Sequence, residues 1–405
     1  MKDLMAPKND LTFVTCVAPV NIAVIKYWGK QDETNNLPLN SSLSVTLNVN
    51  DLCSKTTIAV SKNFKEDCIW LNKKKQDILA SKRLQRVLKE ARKHSRKRKH
   101  DAEESEEKKL RCHISSSNNF PTAAGLASSA SGYACMAKCL GEVYDVDIDL
   151  SILARLGSGS ACRSMAGGFV KWEKGSCAYG SDSKAVQIAP ECHWPDLKIL
   201  ILVVSDKQKS VPSTDAMRRS VQTSQLLQSR VSHIVPQRIM EMEKAISEHD
   251  FKKFAEITMK ESNQLHAICQ DTYPPIVPPY MNETSHSIVQ LITTLNESAV
   301  KAAYTFDAGA NAVIFTLDAY FEEVFGTVLK YFPRVEGDKI EEDQYVNVKE
   351  EIIRRCLGKA ASVVGCTIRP GALNNIISTT PGPGAHVVDN TSSLLDEKGE
   401  LCSNF

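Results

Sequence analysis

Residues 121–131 read P-T-A-A-G-L-A-S-S-A-S, a glycine- and serine-rich turn that leads into a helical pattern. Gly125 allows a ligand to approach the backbone where a side chain would block it. Ser128, Ser129 and Ser131 follow, where the free N–H groups and the dipole of a helix N-terminus favour an anion. Their hydroxyls can donate to phosphate oxygens or bind Mg²⁺, so the pattern predicts a phosphate site. An ordinary serine-capped helix is the alternative interpretation.

This stretch differs from two other phosphate-binding patterns. No Gly-Lys-Ser/Thr follows it, as a Walker A loop requires, and it lacks the G-x-G-x-x-G of a dinucleotide-binding fold. A second glycine–serine stretch, G-S-G-S-A-C-R at residues 157–163, ends on an arginine. The forked guanidinium of arginine suits a phosphate or a carboxylate. We therefore expect a second anion site there rather than a flexible linker.

Three charged residues stand alone in long runs of small or apolar residues. Lys26 is the only charge in residues 14–29, Arg163 the only one in 156–170, and Asp307 the only one in 302–317. Burying an unpaired charge costs several kcal/mol, so each of them needs a partner. They could simply pair with each other and hold the fold. Because each lies near glycine or serine, we favour a polar cleft with one carboxylate and two cations.

The composition is that of an ordinary folded protein. The 405 residues are 42% hydrophobic and 24% charged, and this length predicts two domains or one large α/β unit. The net charge of +2 does not single out nucleic acid, membranes or acidic partners. No apolar run approaches the roughly 18–20 residues of a membrane span, and the first residues lack the apolar core of a secretory signal. The 13 scattered cysteines suit reduced thiols. We therefore expect a cytoplasmic protein.

The periodicity of apolar residues divides the chain near residue 190 into a strand-rich half and a helix-rich half. We expect one domain over residues 1–190, a second over 191–388, and a polar, loosely held tail over 389–405. Strands are expected at residues 12–18, 43–49, 56–60, 68–71, 199–204, 302–306, 312–317 and near 362–368. Helices are expected at residues 77–93, 128–143, 149–156, 212–228 in part, 229–248, 251–270, 285–295 and 348–357.

One stretch of biased composition interrupts the first half, at about residues 94–109. It begins H-S-R-K-R-K-H and continues with mostly acidic residues. A nuclear signal or a nucleic-acid patch is one interpretation. We favour a solvated insertion, because the charge blocks partly compensate and no aromatic side chains interleave the basic run for base stacking.

The glycine–serine turn at residues 121–131 resembles the phosphate loop of the GHMP small-molecule kinase superfamily. Four further motifs narrow the resemblance to one family, the mevalonate diphosphate decarboxylases of the animal type. They are A-P-V-N-I-A-V-I-K-Y-W-G-K (18–30), N-S-S-L-S-V-T-L (40–47), G-S-G-S-A-C-R-S (157–164) and A-Y-T-F-D-A-G-A-N-A-V (303–313). The set is specific, because the kinases of the superfamily share only the phosphate loop and a looser glycine-rich turn near Asp307.

The resemblance implies an α+β fold with the two lobes of a GHMP kinase. The N-terminal half would hold a mixed or antiparallel sheet with helices, and the C-terminal half a helix-rich α/β sandwich. The implied activity is ATP-dependent decarboxylation of (R)-5-diphosphomevalonate, with Mg²⁺, in a cytoplasmic homodimer that binds neither nucleic acid nor membrane. A GHMP kinase that stops at the phosphorylated product is the alternative, and a non-enzymatic nucleotide-binding or nuclear protein is a third hypothesis.

The resemblance also implies roles for individual residues. Asp307 would orient or deprotonate the substrate hydroxyl, Arg163 would hold the substrate carboxylate, and Lys26 would bring positive charge to the transferring phosphoryl group. Asn21 would give the substrate a neutral hydrogen bond, and Ser129 would contact ATP and Mg²⁺. The implied substrate contacts are Tyr27, Trp28, Gly29, Lys30, Lys74, Ser158, Gly159, Ser160, Ala161, Cys162, Arg163 and Thr214. The implied ATP contacts are Pro121, Ala124, Gly125, Leu126, Ser128, Ser129 and Ser131.

The sequence departs from the family pattern at two places. After W-L-N at residues 70–72 the family usually has Gly-Arg, and this chain has Lys73 and Lys74. Near Thr214 the family often has Ser-Thr-x-Gly-Met, part of which is replaced here by Asp215 and Ala216 before Met217. Both places lie on expected loops, so we expect them to affect substrate affinity rather than the type of reaction.

Overall fold

A computed structural model describes residues 11–96, 110–120, 128–205, 209–335 and 347–402. The helices of this part of the chain are α1 (Lys82–Lys93), α2 (Ser128–Tyr144), α3 (Leu150–Gly157), α4 (Ser213–Thr223), α5 (Gln225–Ser229), α6 (Val235–Ser247), α7 (Phe251–Asp271), α8 (Glu283–Leu295), α9 (Asp318–Tyr331) and α10 (Glu350–Gly358). Its strands are β1 (Thr12–Pro19), β2 (Asn21–Ile25), β3 (Lys30–Asp32), β4 (Leu37–Pro38), β5 (Ser42–Thr46), β6 (Cys53–Ser61), β7 (Cys68–Leu71), β8 (Lys74–Gln76), β9 (Arg111–Asn118), β10 (Phe169–Trp172), β11 (Ala185–Ala189), β12 (Leu197–Val203), β13 (Ala302–Phe306), β14 (Ala312–Leu317), β15 (Asn375–Thr379) and β16 (His386–Val388). Within these described ranges, no helix is long and apolar enough to span a bilayer.

A six-stranded sheet in the order β16-β1-β6-β9-β7-β8 forms one layer of the N-terminal half. Strand β1 pairs with β6 along its whole length, and β7 runs parallel to β9 in an otherwise antiparallel sheet. The amphipathic spacing of apolar residues on α1 places Leu84 and Leu88 against this layer, together with Leu140 of α2. The helices α1 to α3 therefore cover one face of the sheet, and the start of α2 is fixed beside it.

Two four-stranded sheets share the core that joins the halves of the molecule. One has the order β11-β10-β5-β2 and the other the order β13-β14-β12-β15. Ile22 and Val45 of the first sheet lie in one apolar cluster with Ile201 and Phe315 of the second and Phe254 of α7. Strands β2 and β13 thus end near each other, although they are far apart in sequence. The domain boundary at residue 190 stays a prediction.

The other face of the C-terminal sheet is covered by α8, α9 and α10. Helix α9 is absent from our expectations, because its many aromatic and β-branched residues have low intrinsic helix propensity. The strand expected near residues 362–368 is wrong, since the backbone there is irregular and the strand of this region is β15. Val363 donates its N–H to the Tyr331 hydroxyl instead of to a neighbouring strand.

The expectation of a loosely held tail is wrong for residues 389–402. Strand β16 pairs with β1 at the edge of the six-stranded sheet, and the chain that follows packs on the same sheet. Leu394 and Leu395 are buried, and the Leu394 N–H donates to the Thr57 hydroxyl. The expectation rested on the polar composition of the segment and overlooked these two leucines. They anchor the segment through apolar contacts rather than through regular secondary structure.

Replacing Leu395 with alanine tests how firmly this segment is held. Leu395 is 3% exposed and packs with Ala59, Cys68 and Trp70, so the substitution removes buried methyl groups and leaves a cavity. We expect a loss of about 2–4 kcal/mol in the free energy of unfolding, measured by urea denaturation. Leu79→Ala is the matched control, because Leu79 is 79% exposed and should change stability by less than about 0.5 kcal/mol. Equal stability of the two variants would contradict the packed tail.

Candidate active site

A cavity of about 660 Å³ lies between the two halves, where β2 and β13 end. Its walls come from the segment after β2, the first turn of α2, the 3₁₀ helix Gly159–Met165, the approach to α4, and the turn between β13 and β14. Both glycine–serine stretches singled out in the sequence contribute serines to this cavity, namely Ser128, Ser129, Ser158 and Ser160. The isolated charges Lys26, Arg163 and Asp307 line the same cavity. The predicted polar cleft is therefore present.

Lys26 and Asp307 form an ion pair at the floor of the cavity, with 2.6 Å between Lys26 Nζ and Asp307 Oδ1. The Lys26 side chain is 1% exposed and the Asp307 side chain 40% exposed, so the carboxylate faces the cavity and the ammonium group lies behind it. Burial favours a higher pKa for Asp307, but Lys26 and then Arg163 outweigh burial and hold this pKa below its ordinary value. Asp307 is consequently ionised at neutral pH.

Arg163 is 3% exposed and is held in place by neutral groups. Its Nη1 donates to the Ser42 hydroxyl at 2.6 Å and its Nε to Asn21 Oδ1 at 3.3 Å. Among the described residues no carboxylate lies within 4 Å of the guanidinium, so the pairing of all three charges with one another is only partly realised. Burial lowers the pKa of Arg163, and Asp307 acts in the opposite direction. A buried guanidinium with neutral partners is suited to binding a carboxylate ligand.

Asn21 is buried behind Arg163 rather than exposed in the cavity. Its amide nitrogen donates to Ser164 Oγ at 2.8 Å and to the Ser160 carbonyl at 3.1 Å, while its oxygen accepts from Arg163. The structure therefore brings Asn21 to the 3₁₀ helix and the arginine. Its amide orients the Arg163 guanidinium, and the Arg163 side chain lies between Asn21 and the cavity.

The segment after β2 supplies a tyrosine, a tryptophan and a lysine to the cavity wall. The Tyr27 ring packs on Trp172 with 4.8 Å between centroids, and burial raises its pKa. Trp28 is held by a residue of α4, because its indole N–H donates to Ser220 Oγ at 3.0 Å. Gly29 has φ +92° and a Cβ there would lie 2.7 Å from Leu39 Cδ1, so the turn requires glycine.

Lys30 and Thr214 stand at the rim of the cavity and already have protein partners. Lys30 Nζ donates to Asn36 Oδ1 at 2.7 Å. Burial, followed by the nearby charge of Arg83, lowers the pKa of Lys30 to about 8. The Thr214 hydroxyl accepts a hydrogen bond of 3.0 Å from Arg83 Nη2, so α1 and α4 meet across the mouth of the cavity. Lys30, whose charge depends on pH near neutrality, thus lies close to the permanently charged Arg83.

The expected contacts in the two glycine–serine stretches divide into exposed and buried residues. Ser158, Gly159 and Ser160 line the cavity, whereas Ala161 and Cys162 are fully buried beneath it. Ser128 and Ser129 begin α2 at the cavity wall, and Ser129 Oγ lies 3.4 Å from Ser158 Oγ. Ser131 is buried one turn later and hydrogen-bonds Ser54 Oγ at 2.7 Å. The residues expected to contact ATP that lie outside the described part of the chain are Pro121, Ala124, Gly125 and Leu126.

Lys74 is an expected substrate contact that lies away from the cavity on the surface of the protein. It lies on the exposed strand β8, outside the described residues that form the cavity wall. Arg83, on the first turn of α1, takes the position at the cavity mouth instead. Its charge is one of several on the polar face of an amphipathic helix, so no sequence pattern distinguished it.

Lys209 is a second site residue that the sequence analysis missed. Its Nζ lies 2.6 Å from Ser213 Oγ and 3.1 Å from the Ala308 carbonyl, next to the residue that follows β13. Burial lowers the pKa of Lys209 and Asp307 opposes that effect. Its neighbours in sequence are polar and charged, so it lacked the isolation that marked Lys26 and Arg163.

The oxygen donors of the cavity fit magnesium better than a transition metal. Within the described ranges, no three His, Cys, Asp or Glu side chains lie together as a metal site. Mg²⁺ usually binds through one or two protein oxygens together with substrate phosphates and water. The hydroxyls of Ser128 and Ser129, at the positive end of α2, match that requirement when a nucleotide supplies the phosphates.

Two family models match the chain. A diphosphomevalonate decarboxylase-like N-terminal domain matches residues 18–185, and a mevalonate 5-diphosphate decarboxylase C-terminal domain matches residues 199–388. The diphosphomevalonate decarboxylase of Bos taurus is 49% identical over 397 residues, which cover 96% of this chain and 97% of the bovine protein.

Solved structures agree in fold along nearly the whole chain. Mevalonate diphosphate decarboxylase from Trypanosoma brucei superposes with a TM-score of 0.85 at 36% identity and covers 95% of this chain and 100% of its own. A complex of MDDEF with MVAPP, AMPPCP and magnesium superposes with a TM-score of 0.70 at 27% identity, covering 94% of this chain and 99% of its own.

Proposed function

The chain belongs to the diphosphomevalonate decarboxylase family, and we propose that Asp307, Lys26 and Arg163 carry the chemical steps of its reaction. The reaction is the ATP-dependent decarboxylation of (R)-5-diphosphomevalonate to isopentenyl diphosphate, ADP, phosphate and CO₂, a step of the mevalonate pathway. The α+β architecture is the GHMP kinase fold expected from the sequence. A tertiary hydroxyl leaves poorly, so it is first phosphorylated. Loss of phosphate then develops positive charge at carbon 3, and the adjacent carboxylate is lost as CO₂.

The observation that supports this assignment most strongly is the Lys26–Asp307 pair at the cavity floor. An ionised Asp307 can accept a hydrogen bond from the substrate hydroxyl and orient its oxygen toward the transferring phosphoryl group. Its negative charge then stabilises the developing positive charge at carbon 3. Lys26 keeps the carboxylate ionised and in one position, and it contributes positive charge near the phosphoryl oxygens.

We assign the substrate carboxylate to Arg163 and the diphosphate to the cations at the rim. Arg163 is held by Ser42 and Asn21, so its remaining donors have a fixed direction. Lys30 and Arg83 lie at the mouth of the cavity, where two phosphates need neutralising charge. Arg163 is buried and Lys30 and Arg83 lie at the mouth, an order of cations that suits a substrate with a carboxylate at one end and a diphosphate at the other.

ATP and Mg²⁺ are assigned to the wall formed by Ser128 and Ser129. The first turn of α2 places the positive end of the helix dipole at the cavity wall, and the hydroxyl of Ser129 lies 3.4 Å from that of Ser158. The relative bound to an ATP analogue and magnesium supports this placement. Mg²⁺, when bound, neutralises part of the phosphate charge. Ser129 and Lys209 line the same cavity and would hold the phosphates.

We further propose that the protein is a cytoplasmic homodimer. All 13 cysteines are free thiols, as a reducing compartment maintains. The dimer rests on the family resemblance. Light scattering after size-exclusion chromatography should give twice the 44.7 kDa of one chain. A mass of one chain at micromolar concentration would contradict the dimer.

The function is tested by incubating the protein with diphosphomevalonate, ATP and Mg²⁺ and measuring ADP and CO₂ in the same samples. We expect equal amounts of both products. ADP without CO₂ would support the kinase that stops at the phosphorylated intermediate, and neither product would contradict both enzymatic readings.

The pH dependence of substrate capture should report Lys30. Because the pKa of Lys30 is lowered to about 8, this lysine is charged below that pH and progressively neutral above it. A diphosphate binds the charged form, so kcat/KM for diphosphomevalonate should fall roughly fivefold or more between pH 7.5 and 9 at saturating ATP. Lys30→Arg keeps a charge throughout this range and should remove most of the decline. The same decline in both proteins would show that another group causes it.

A further inference from the structure

Helix α7 contains a buried glutamate that the proposed chemistry does not use. Glu261 is fully buried and pairs with Arg230, which is also fully buried, and with Arg238 at 2.6 Å. Burial favours a higher pKa for Glu261, but Arg230 and Arg238 outweigh it and keep the group ionised. Buried ion clusters contribute little net stability compared with apolar packing, so their local contacts deserve a separate explanation.

The contacts of this cluster end on the peptide groups of Lys26. The Lys26 N–H donates to Glu261 Oε2 at 2.8 Å, and Arg230 Nη2 donates to the Lys26 carbonyl at 3.0 Å. Asn40 Nδ2 donates to the same carbonyl at 3.1 Å. Both sides of the Lys26 backbone are therefore fixed by side chains that are themselves fixed. Lys26 follows the last residue of β2, so its backbone lies beyond the register by which β2 pairs with β5.

Ser262, the next residue of α7, binds the backbone beside Asp307, the other member of the ion pair. Ser262 is 1% exposed, and its hydroxyl accepts a hydrogen bond of 2.9 Å from the backbone N–H of Phe306. Phe306 ends β13 and immediately precedes Asp307. Two adjacent residues of one helix thus fix the backbone on which Lys26 stands and the backbone that leads to Asp307, 281 positions apart in the chain.

We propose that Glu261 and Ser262 are positioning residues that set the separation of Lys26 and Asp307. A helix is rigid over two adjacent residues, so the peptide groups of Lys26 and Phe306 that bind to it can move little relative to each other. The pair that results has a 2.6 Å contact and a carboxylate that is 40% exposed at the cavity wall. This inference rests on the proposed roles of Lys26 and Asp307, and it adds a cause for their geometry.

Ser262→Ala is the decisive variant, because it removes one hydroxyl without changing any charge. Displacement of a reacting group by about 1 Å can lower turnover by about a hundredfold, so we expect kcat to fall roughly 10- to 100-fold. The KM values for ATP and diphosphomevalonate should change less than about threefold, since the anion-binding groups at the rim and on α2 are untouched. Circular dichroism and thermal unfolding establish that the variant is folded.

Tyr304→Phe is the matched control. Its hydroxyl donates to Asn263 Oδ1 at 3.0 Å, so it also joins β13 to α7, but it does not contact the backbone next to Asp307. We expect this variant to keep kcat within about twofold of the parent. Equal losses of kcat in Ser262→Ala and Tyr304→Phe, or a Ser262→Ala protein with the parental kcat, would overturn the inference.

Glu261→Gln and Asp307→Asn complete the experiment. Glu261→Gln keeps an oxygen for the Lys26 N–H but leaves Arg230 without its charge partner, so it should lower both kcat and stability, and Ser262→Ala decides the question if this protein does not fold. Asp307→Asn is measured in parallel. If it retains turnover, the proposed roles fail; if it loses turnover while Ser262→Ala does not, only the positioning inference fails.

Discussion

Replacing Asp307 with asparagine should lower kcat by about 10³-fold or more. The variant keeps the size of the side chain and its ability to hydrogen-bond, but it removes the negative charge that faces the cavity beside Lys26. Orientation of the hydroxyl and stabilisation of positive charge at carbon 3 both depend on that charge. The measurement is kcat from ADP release, with CO₂ measured in the same reaction.

Affinity for ATP separates this role from a general disturbance of the site. Asp307 does not belong to the α2 wall, so binding of an ATP analogue to Asp307→Asn should be unchanged within about threefold. Near-normal turnover of this variant would refute the assigned role. A proportional loss of ATP binding would instead indicate that Asp307 organises the nucleotide site.

Removing the guanidinium of Arg163 should lower kcat/KM for diphosphomevalonate by about 10²- to 10³-fold, because the substrate carboxylate loses its charged partner. Arg163→Met removes the charge and keeps much of the volume, and Arg163→Lys keeps a charge but loses the fork. We expect the lysine variant to recover only part of the loss. Steady-state kinetics in diphosphomevalonate at saturating ATP, together with thermal unfolding, give the comparison.

Arg155 provides the control for burial of a large cation. It is 1% exposed and its Nη1 donates to the carbonyls of Gly180 and Ser183, so it fixes a loop away from the cavity wall. Arg155→Met should lower thermal stability while the folded protein keeps its kcat/KM. If Arg163→Met loses only stability, as Arg155→Met does, then Arg163 serves the fold and not the substrate.

Strands β13 and β14 and the turn between them could be predicted to the residue, because both strands are short, apolar and bounded by a clear turn. The isolation of Lys26, Arg163 and Asp307 in apolar runs likewise predicted a shared cleft. Which charges pair could not be predicted, since the partner of Lys26 is 281 residues away. The orientation of Asn21 could not be predicted either, because the sequence does not show whether an asparagine side chain is buried or faces a substrate.

Residues in polar surroundings were the ones that the sequence concealed. Glu261 stands in a helix among lysine, serine and glutamine, so its burial depends on Arg230 and Lys26, which reach it from other segments. Arg83 and Lys209 each have other charged residues close by in the sequence. Isolation of a charge is therefore a useful signal for a site residue, and a charge within a polar run needs three-dimensional contacts before it can be assigned.

The edge strand β16 and the packed segment after it constrain how the protein is made. The six-stranded sheet contains β1 (Thr12–Pro19) and is completed by residues 386–388, which come much later in the sequence. During synthesis on the ribosome, the N-terminal half emerges long before the strand that covers its edge and before Leu395, which packs with Trp70. The half-made protein therefore exposes an open sheet edge that another chain can pair with, until residues 386–388 have been synthesised and can cover it.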